Sequence, residues 1–119
     1  MVSKAVAHAK KVGTAKAYQD FTDKLPAFVD RDLYIMVYDM NGWVLAHGQN
    51  PKMVGKDLID LRDPDGKAFV KERVELGKTK DKFWHDYRWT DPITKKVLAK
   101  AAYCERHEGV LFCSGIYKR

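Results

Sequence analysis

The stretch LYIMVYDMNGWVLAH, Leu33 to His47, decides the fold. Leu33 to Tyr38 is β-branched and aromatic, which favours a strand. Asn41-Gly42 follows, the strongest short-range hairpin signal, and Trp43 to His47 is the returning strand. A two-residue turn at Asn41-Gly42 would pair Met40 with Trp43, Tyr38 with Leu45 and Met36 with His47. Side chains alternate across a strand. One face would then carry Tyr34, Met36, Tyr38, Met40, Trp43, Leu45 and His47, the other Leu33, Ile35, Val37, Val44 and Ala46. Both faces are rich in apolar groups, so both need cover. The small aliphatic face suits helices; the Tyr/Met/His face suits something more polar.

Upstream, Val2, Ala5, Val6, Ala9 and Val12 recur at helical spacing. Gly13-Thr14 reads as a helix stop and a new N-cap, with a second helix from about Ala15 to Lys24 that ends at Pro26. Downstream, residues 48–66 read as a long loop anchored by Leu58, Ile59 and Leu61, longer than an ordinary connector. Asp65 is the expected N-cap of a helix bearing Phe69, Val70, Arg73 and Val74, with Gly77 as its stop. Three strands follow, near Phe83–Trp89, Val97–Glu105 and Val110–Tyr117, the last two joined at His107-Glu108-Gly109. The order predicts an α+β domain with a five-stranded antiparallel sheet. The N-terminal helices would pack on that sheet, with a long loop and helix inserted between strands 2 and 3.

At 119 residues the chain supports one core. Residues 1–27 read as an N-terminal helical segment and 28–119 as the sheet domain. Hydrophobic residues at 45% and charged residues at 32% exclude wholesale disorder. No window is apolar enough for a membrane span or a signal peptide. The net charge of +6 is spread along the chain; a nucleic-acid binder would concentrate it on one element. The Cys and His spacing does not suggest a zinc site. No nucleophile elbow, H-E-x-x-H, P-loop or G-x-G-x-x-G occurs, so neither an enzyme nor a cofactor is expected.

The densest aromatic run is FWHDYRWTDP, Phe83 to Pro92, which reads as a strand ending in a turn at Asp91-Pro92. Alternation puts Phe83, His85, Tyr87 and Trp89 on one strand face and Trp84, Asp86 and Arg88 on the other. One face would pack and one would line a pocket; the sequence leaves open which. Cys104 and Cys113 become direct partners if Arg106 lies opposite Leu111, and a cross-strand disulfide is then within reach. A turn one residue shorter would leave two thiols.

The run DLYIMVYDMNGWVLAHGQNPKMVGKDLIDLRDPDGKAFV resembles the single Cache domain type 2 family, PAS-like extracytoplasmic sensing modules. So do FWHDYRWTDPITKKVLAK and LFCSGIY, and AVAHAKKVGTAKAYQDF looks like the helical lead-in of small stand-alone members. The resemblance implies a PAS-like sheet and a pocket for a small organic anion. Short carboxylates of the acetate, propionate, lactate or pyruvate type are the implied ligands, feeding chemotaxis or signal transduction through a receptor or kinase partner. It implies a periplasmic or otherwise extracytoplasmic location. Lys100 sits where the family places a lysine, which would make it a carboxylate ligand, and His47 lies in a shared LAH motif. Tyr34, Tyr38 and Tyr103 would offer hydroxyls, and Trp84, Tyr87, Arg88 and Trp89 are the further candidates. His85 departs from the family pattern. The alternative is a ligand-free interaction module that forms a homodimer through Val2, Ala5, Val6, Ala9 and Val12.

Overall fold

The computed structural model describes residues 2–23, 28, 33–48, 51–63, 65–90 and 94–117. Two helices open the chain, α1 (Val2–Val12) and α2 (Thr14–Thr22). Gly13 caps α2 with no side-chain hydrogen bond, so Thr14 is helical and not the cap. The stop expected at Pro26 and the turn at Asp91-Pro92 lie outside the described residues. The strands are β1 (Met36–Asp39), β2 (Val44–His47), β3 (Lys82–Thr90), β4 (Val97–His107) and β5 (Val110–Tyr117), with α3 (Phe69–Thr79) between β2 and β3. They form one antiparallel sheet in the order β2-β1-β5-β4-β3.

Two apolar layers cover the sheet. Val2, Ala5 and Ala9 of α1 and Ala17 and Phe21 of α2 pack on Ile35, Val37, Ala46 and Phe112. Of the α1 stripe proposed as a dimer seam, Val2, Ala5 and Ala9 are covered by the chain's own sheet, while Val12 is exposed. On the opposite face, Phe69, Val70 and Val74 of α3 pack with Tyr34, Met36, Tyr38, Phe83, Tyr87 and Leu111. Leu58, Ile59 and Leu61 of the long loop join this layer.

The first hairpin departs from the expected pairing. Its turn has three residues, Met40-Asn41-Gly42: Asp39 N–H donates to Trp43 O at 3.0 Å. The Asp39 carboxylate accepts from the Asn41 and Trp43 amides. Gly42 has φ 91°, the left-handed geometry that closes this turn type with a bulge. The longer turn shifts pairing by one, so Tyr38 faces Val44. A bulge at Leu45 shifts it back, so Val37 faces Ala46 and Met36 faces His47. Val44 thus joins the tyrosine face and Leu45 packs on the helix side. Trp43 is 45% exposed and bridges to Asp57.

The helix α3 also corrects two expectations. Its cap is Ala68, without a side-chain hydrogen bond, and it runs through Gly77 to Thr79. Asp65 pairs with Arg88 instead. Gly77 is there for space: a β-carbon would lie 2.6 Å from Cδ2 of buried Leu111. In the last hairpin Glu108 and Gly109 both have positive φ and His107 faces Val110. Arg106 then faces Leu111, and Cys104 and Cys113 face each other and are joined as a disulfide.

Candidate functional site

Burial decides the two faces of β3. Phe83, His85 and Tyr87 are buried and Trp89 half-buried beneath α3, while Trp84, Asp86 and Arg88 are exposed. Tyr87 lies opposite Lys100 of β4, and Lys100 opposite Tyr117 of β5. Lys100 is 1% exposed. Its Nζ donates to Tyr34 Oη at 2.9 Å and reaches Tyr117 Oη at 3.5 Å. It also stands 4.7, 4.5 and 5.6 Å from the Tyr34, Tyr117 and Tyr87 ring centroids. The side chain runs across Gly115, where a β-carbon would collide with the lysine's Cε. Burial raises the Tyr34, Tyr38 and Tyr87 phenols well above their ordinary range, so all three keep their hydroxyl protons.

Arg73 is the residue that sequence reasoning did not nominate for the site. It hangs from α3 into the same layer and is fully buried. Its Cζ stands 4.8 Å from the Tyr87 ring centroid, 5.4 Å from Tyr38 and 5.7 Å from Phe69. None of its Nε, Nη1 and Nη2 atoms has a hydrogen-bond partner among the described residues. Burial disfavours its charge, but the Tyr87 and Tyr38 phenols favour it more, and it stays cationic. The signal was present: Arg73 interrupts the apolar stripe Phe69, Val70, Val74, and a cation on a buried stripe calls for an anion.

His85 lies beside Tyr87, with nearly parallel rings 6.1 Å apart. Neither ring nitrogen has a hydrogen-bond partner among the described residues. Glu72 Oε1 is 3.6 Å from Nε2. Burial, then the positive charges of Arg73 and Lys67, hold the imidazole pKa down to about 4 despite Glu72, so it is neutral near pH 7.

The remaining candidates separate. Tyr34, Tyr38, Tyr87, Trp89 and Lys100 come together on the α3 side. His47 stands at its edge, its ring 5.2 Å from Tyr34. The structure does not bring Arg88, Trp84 or Tyr103 to this cluster. Arg88 points outward to Asp65 at 2.9 Å. Trp84 is 59% exposed and touches Tyr103, which packs on the helix side. Arg62, on the loop, donates to Gly66 O.

Asp63 fixes the loop beside the site. Its carboxylate accepts from the backbone N–H groups of Asp65, Lys67 and Arg88, tying the loop to the edge strand β3. Burial would raise its pKa, but these donors outweigh burial and lower it. Among the described residues no group of three His, Cys, Asp or Glu could hold a metal ion, and no helix is long and apolar enough to cross a membrane.

The sequence and the fold both have relatives. Methyl-accepting chemotaxis protein McpP of Pseudomonas putida is 34% identical over 90 residues, 74% of this chain and 16% of that protein. Sensor histidine kinase MctS of Rhizobium johnstonii is 30% identical over 73 residues, 61% of this chain and 16% of that protein. The chain spans about a sixth of the length of these relatives. A solved structure described as the structural basis for carboxylic acid recognition by a Cache chemosensory domain superposes with a TM-score of 0.79 at 26% identity. The alignment covers 99% of this chain and 80% of that one. The family model Single Cache domain 2 matches residues 3–116, which takes in both N-terminal helices but for Val2. The chain belongs to the Single Cache domain 2 family of extracytoplasmic, PAS-like sensor domains.

Proposed function

We propose that this chain is a non-enzymatic sensing domain for a small organic anion, a short carboxylate, outside the cytoplasm. Its output would pass to a chemoreceptor or sensor kinase. The observation that carries the reading is Arg73: a fully buried guanidinium with none of its donors used among the described residues. A buried cation with idle donors is costly alone, and a carboxylate satisfies both its charge and its fork of N–H groups. Lys100 adds a second positive charge on the same face, and the Tyr34, Tyr38 and Tyr87 hydroxyls supply further donors. His47 and Trp89 border the same layer. The recognition of a carboxylic acid named for the structural relative points the same way.

Calorimetric titration with acetate, propionate, lactate and pyruvate tests this. At least one should bind the wild-type chain, and Arg73→Met should lose about 100-fold or more in affinity, since a charge-assisted bidentate contact is worth about 3 kcal/mol. Unchanged affinity in Arg73→Met, or no binding by any acid, overturns the reading.

A further inference from the structure

Resting on the carboxylate reading, we propose that His85 selects among carboxylates. Its imidazole hydrogen-bonds an uncharged oxygen, hydroxyl or keto, borne beside the carboxylate. The ligand class is then hydroxy- or oxo-carboxylates, not plain alkanoates.

Packing does not explain this residue. His85 is 5% exposed, and both ring nitrogens lack hydrogen-bond partners among the described residues. Phenylalanine would fill the same position against Tyr87 without burying idle polar atoms. The β4 residue directly opposite His85 offers its ring no polar side chain. His85 faces Ala102 on β4, and Ala102 faces Gly115 on β5. Beyond Ala102 the Lys100 side chain runs across Gly115.

The charged groups around the ring set what it can bind. From α3 come Arg73 and half-exposed Glu72; from the loop comes Lys67; Tyr87 flanks it on its own strand. Near pH 7 the ring is neutral and carries one N–H donor and one acceptor nitrogen. A hydroxyl matches either ring tautomer, and a keto oxygen matches the donor. Arg73 and His85 both contact Tyr87, at 4.8 and 6.1 Å from its ring centroid. The Arg73 charge also acts on the His85 ring, so a small ligand held by its carboxylate at Arg73 would present its second oxygen to His85.

Three acids of matched length, propionate, lactate and pyruvate, isolate the second oxygen. They are titrated calorimetrically near pH 7 into the full chain and into His85→Phe. Wild type should prefer lactate or pyruvate over propionate by about tenfold or more. His85→Phe should bind all three within about threefold of each other and hold propionate as wild type does. Equal or tighter propionate binding by wild type, or a preference surviving in the variant, overturns the proposal. If His85→Phe does not fold, the His85 ring nitrogen resonances of wild type give the same test. One should shift with lactate or pyruvate and not with propionate; equal shifts with all three overturn the proposal. Propionate binding that is lost in Arg73→Met, with no preference for a second oxygen, removes the role of His85 and leaves the carboxylate reading standing. No binding by any of the three removes both.

Discussion

At the residue scale, two buried groups, Arg73 and His85, have side-chain nitrogens without a hydrogen-bond partner among the described residues. Arg73 is fully buried and its donors are idle among the described residues, so the ligand-free protein bears its desolvation. Arg73→Met keeps the length and removes the charge. It should raise ligand-free stability by about 1–3 kcal/mol, read by denaturant unfolding, while carboxylate binding is lost. A loss of stability would mean that the guanidinium holds the fold. His85 gives a pH signature. Its folded pKa, about 4, lies below the ordinary value of 6.5. Between these values the unfolded chain binds the proton and the folded one does not. Stability is therefore full above about pH 6.5 and falls as pH drops towards 4, by up to about 1.4 kcal/mol per pH unit. Asp20 and Asp63 have lowered pKa values, so their contributions persist above the ordinary carboxylate range and fade only at lower pH. Unfolding free energies measured from pH 7 to pH 4.5 should show the slope in wild type and lose it in His85→Phe.

At the element scale, the loop before α3 is held by one carboxylate. Asp63 reaches the Asp65, Lys67 and Arg88 amides, so it closes a turn and also pins that turn to the edge of β3. Asp63→Ala should speed hydrogen exchange at the Lys67 and Arg88 amides and destabilise by about 1–3 kcal/mol, because three backbone donors lose their partner. Unchanged exchange there would assign the loop's order to Leu58, Ile59 and Leu61 instead. The strands β4 and β5 show how a small residue places a large one. Lys100 lies over Gly115, so Gly115→Ala should displace the ammonium from Tyr34 and Tyr117. Affinity for the acid should fall about tenfold or more, with β4 and β5 still paired by amide exchange. Affinity within twofold of wild type would remove Lys100 from the ligand's reach.

At the scale of the whole molecule, the two faces of the sheet carry layers of different chemistry. Helices α1 and α2 close one face with small aliphatic residues; α3 and the long loop close the other over tyrosines and cations. A ligand that binds only the folded domain stabilises it by about 2.7 kcal/mol at 100 times its Kd, which for a domain of this size raises Tm by about 10 °C. A bound acid that leaves Tm unchanged at that excess would show binding to the unfolded chain as well. The sequence by itself determined the element order, the antiparallel sheet and the two-faced hairpin, because alternation and helical spacing are local patterns. It also placed Lys100, Tyr34, Tyr38 and Tyr87 among the candidates. Only the tertiary structure decided which face of Phe83–Trp89 is inside, since α3 covers one face and both carry aromatics. It removed Arg88 to the surface and brought in Arg73, because a helix is fixed in rotation by what it packs on, and Phe69, Val70 and Val74 carry the arginine in with them. The register of the first hairpin was likewise beyond the local pattern. A turn one residue longer and a bulge at Leu45 cancel at Met36–His47, and only the assembled sheet shows that both are there.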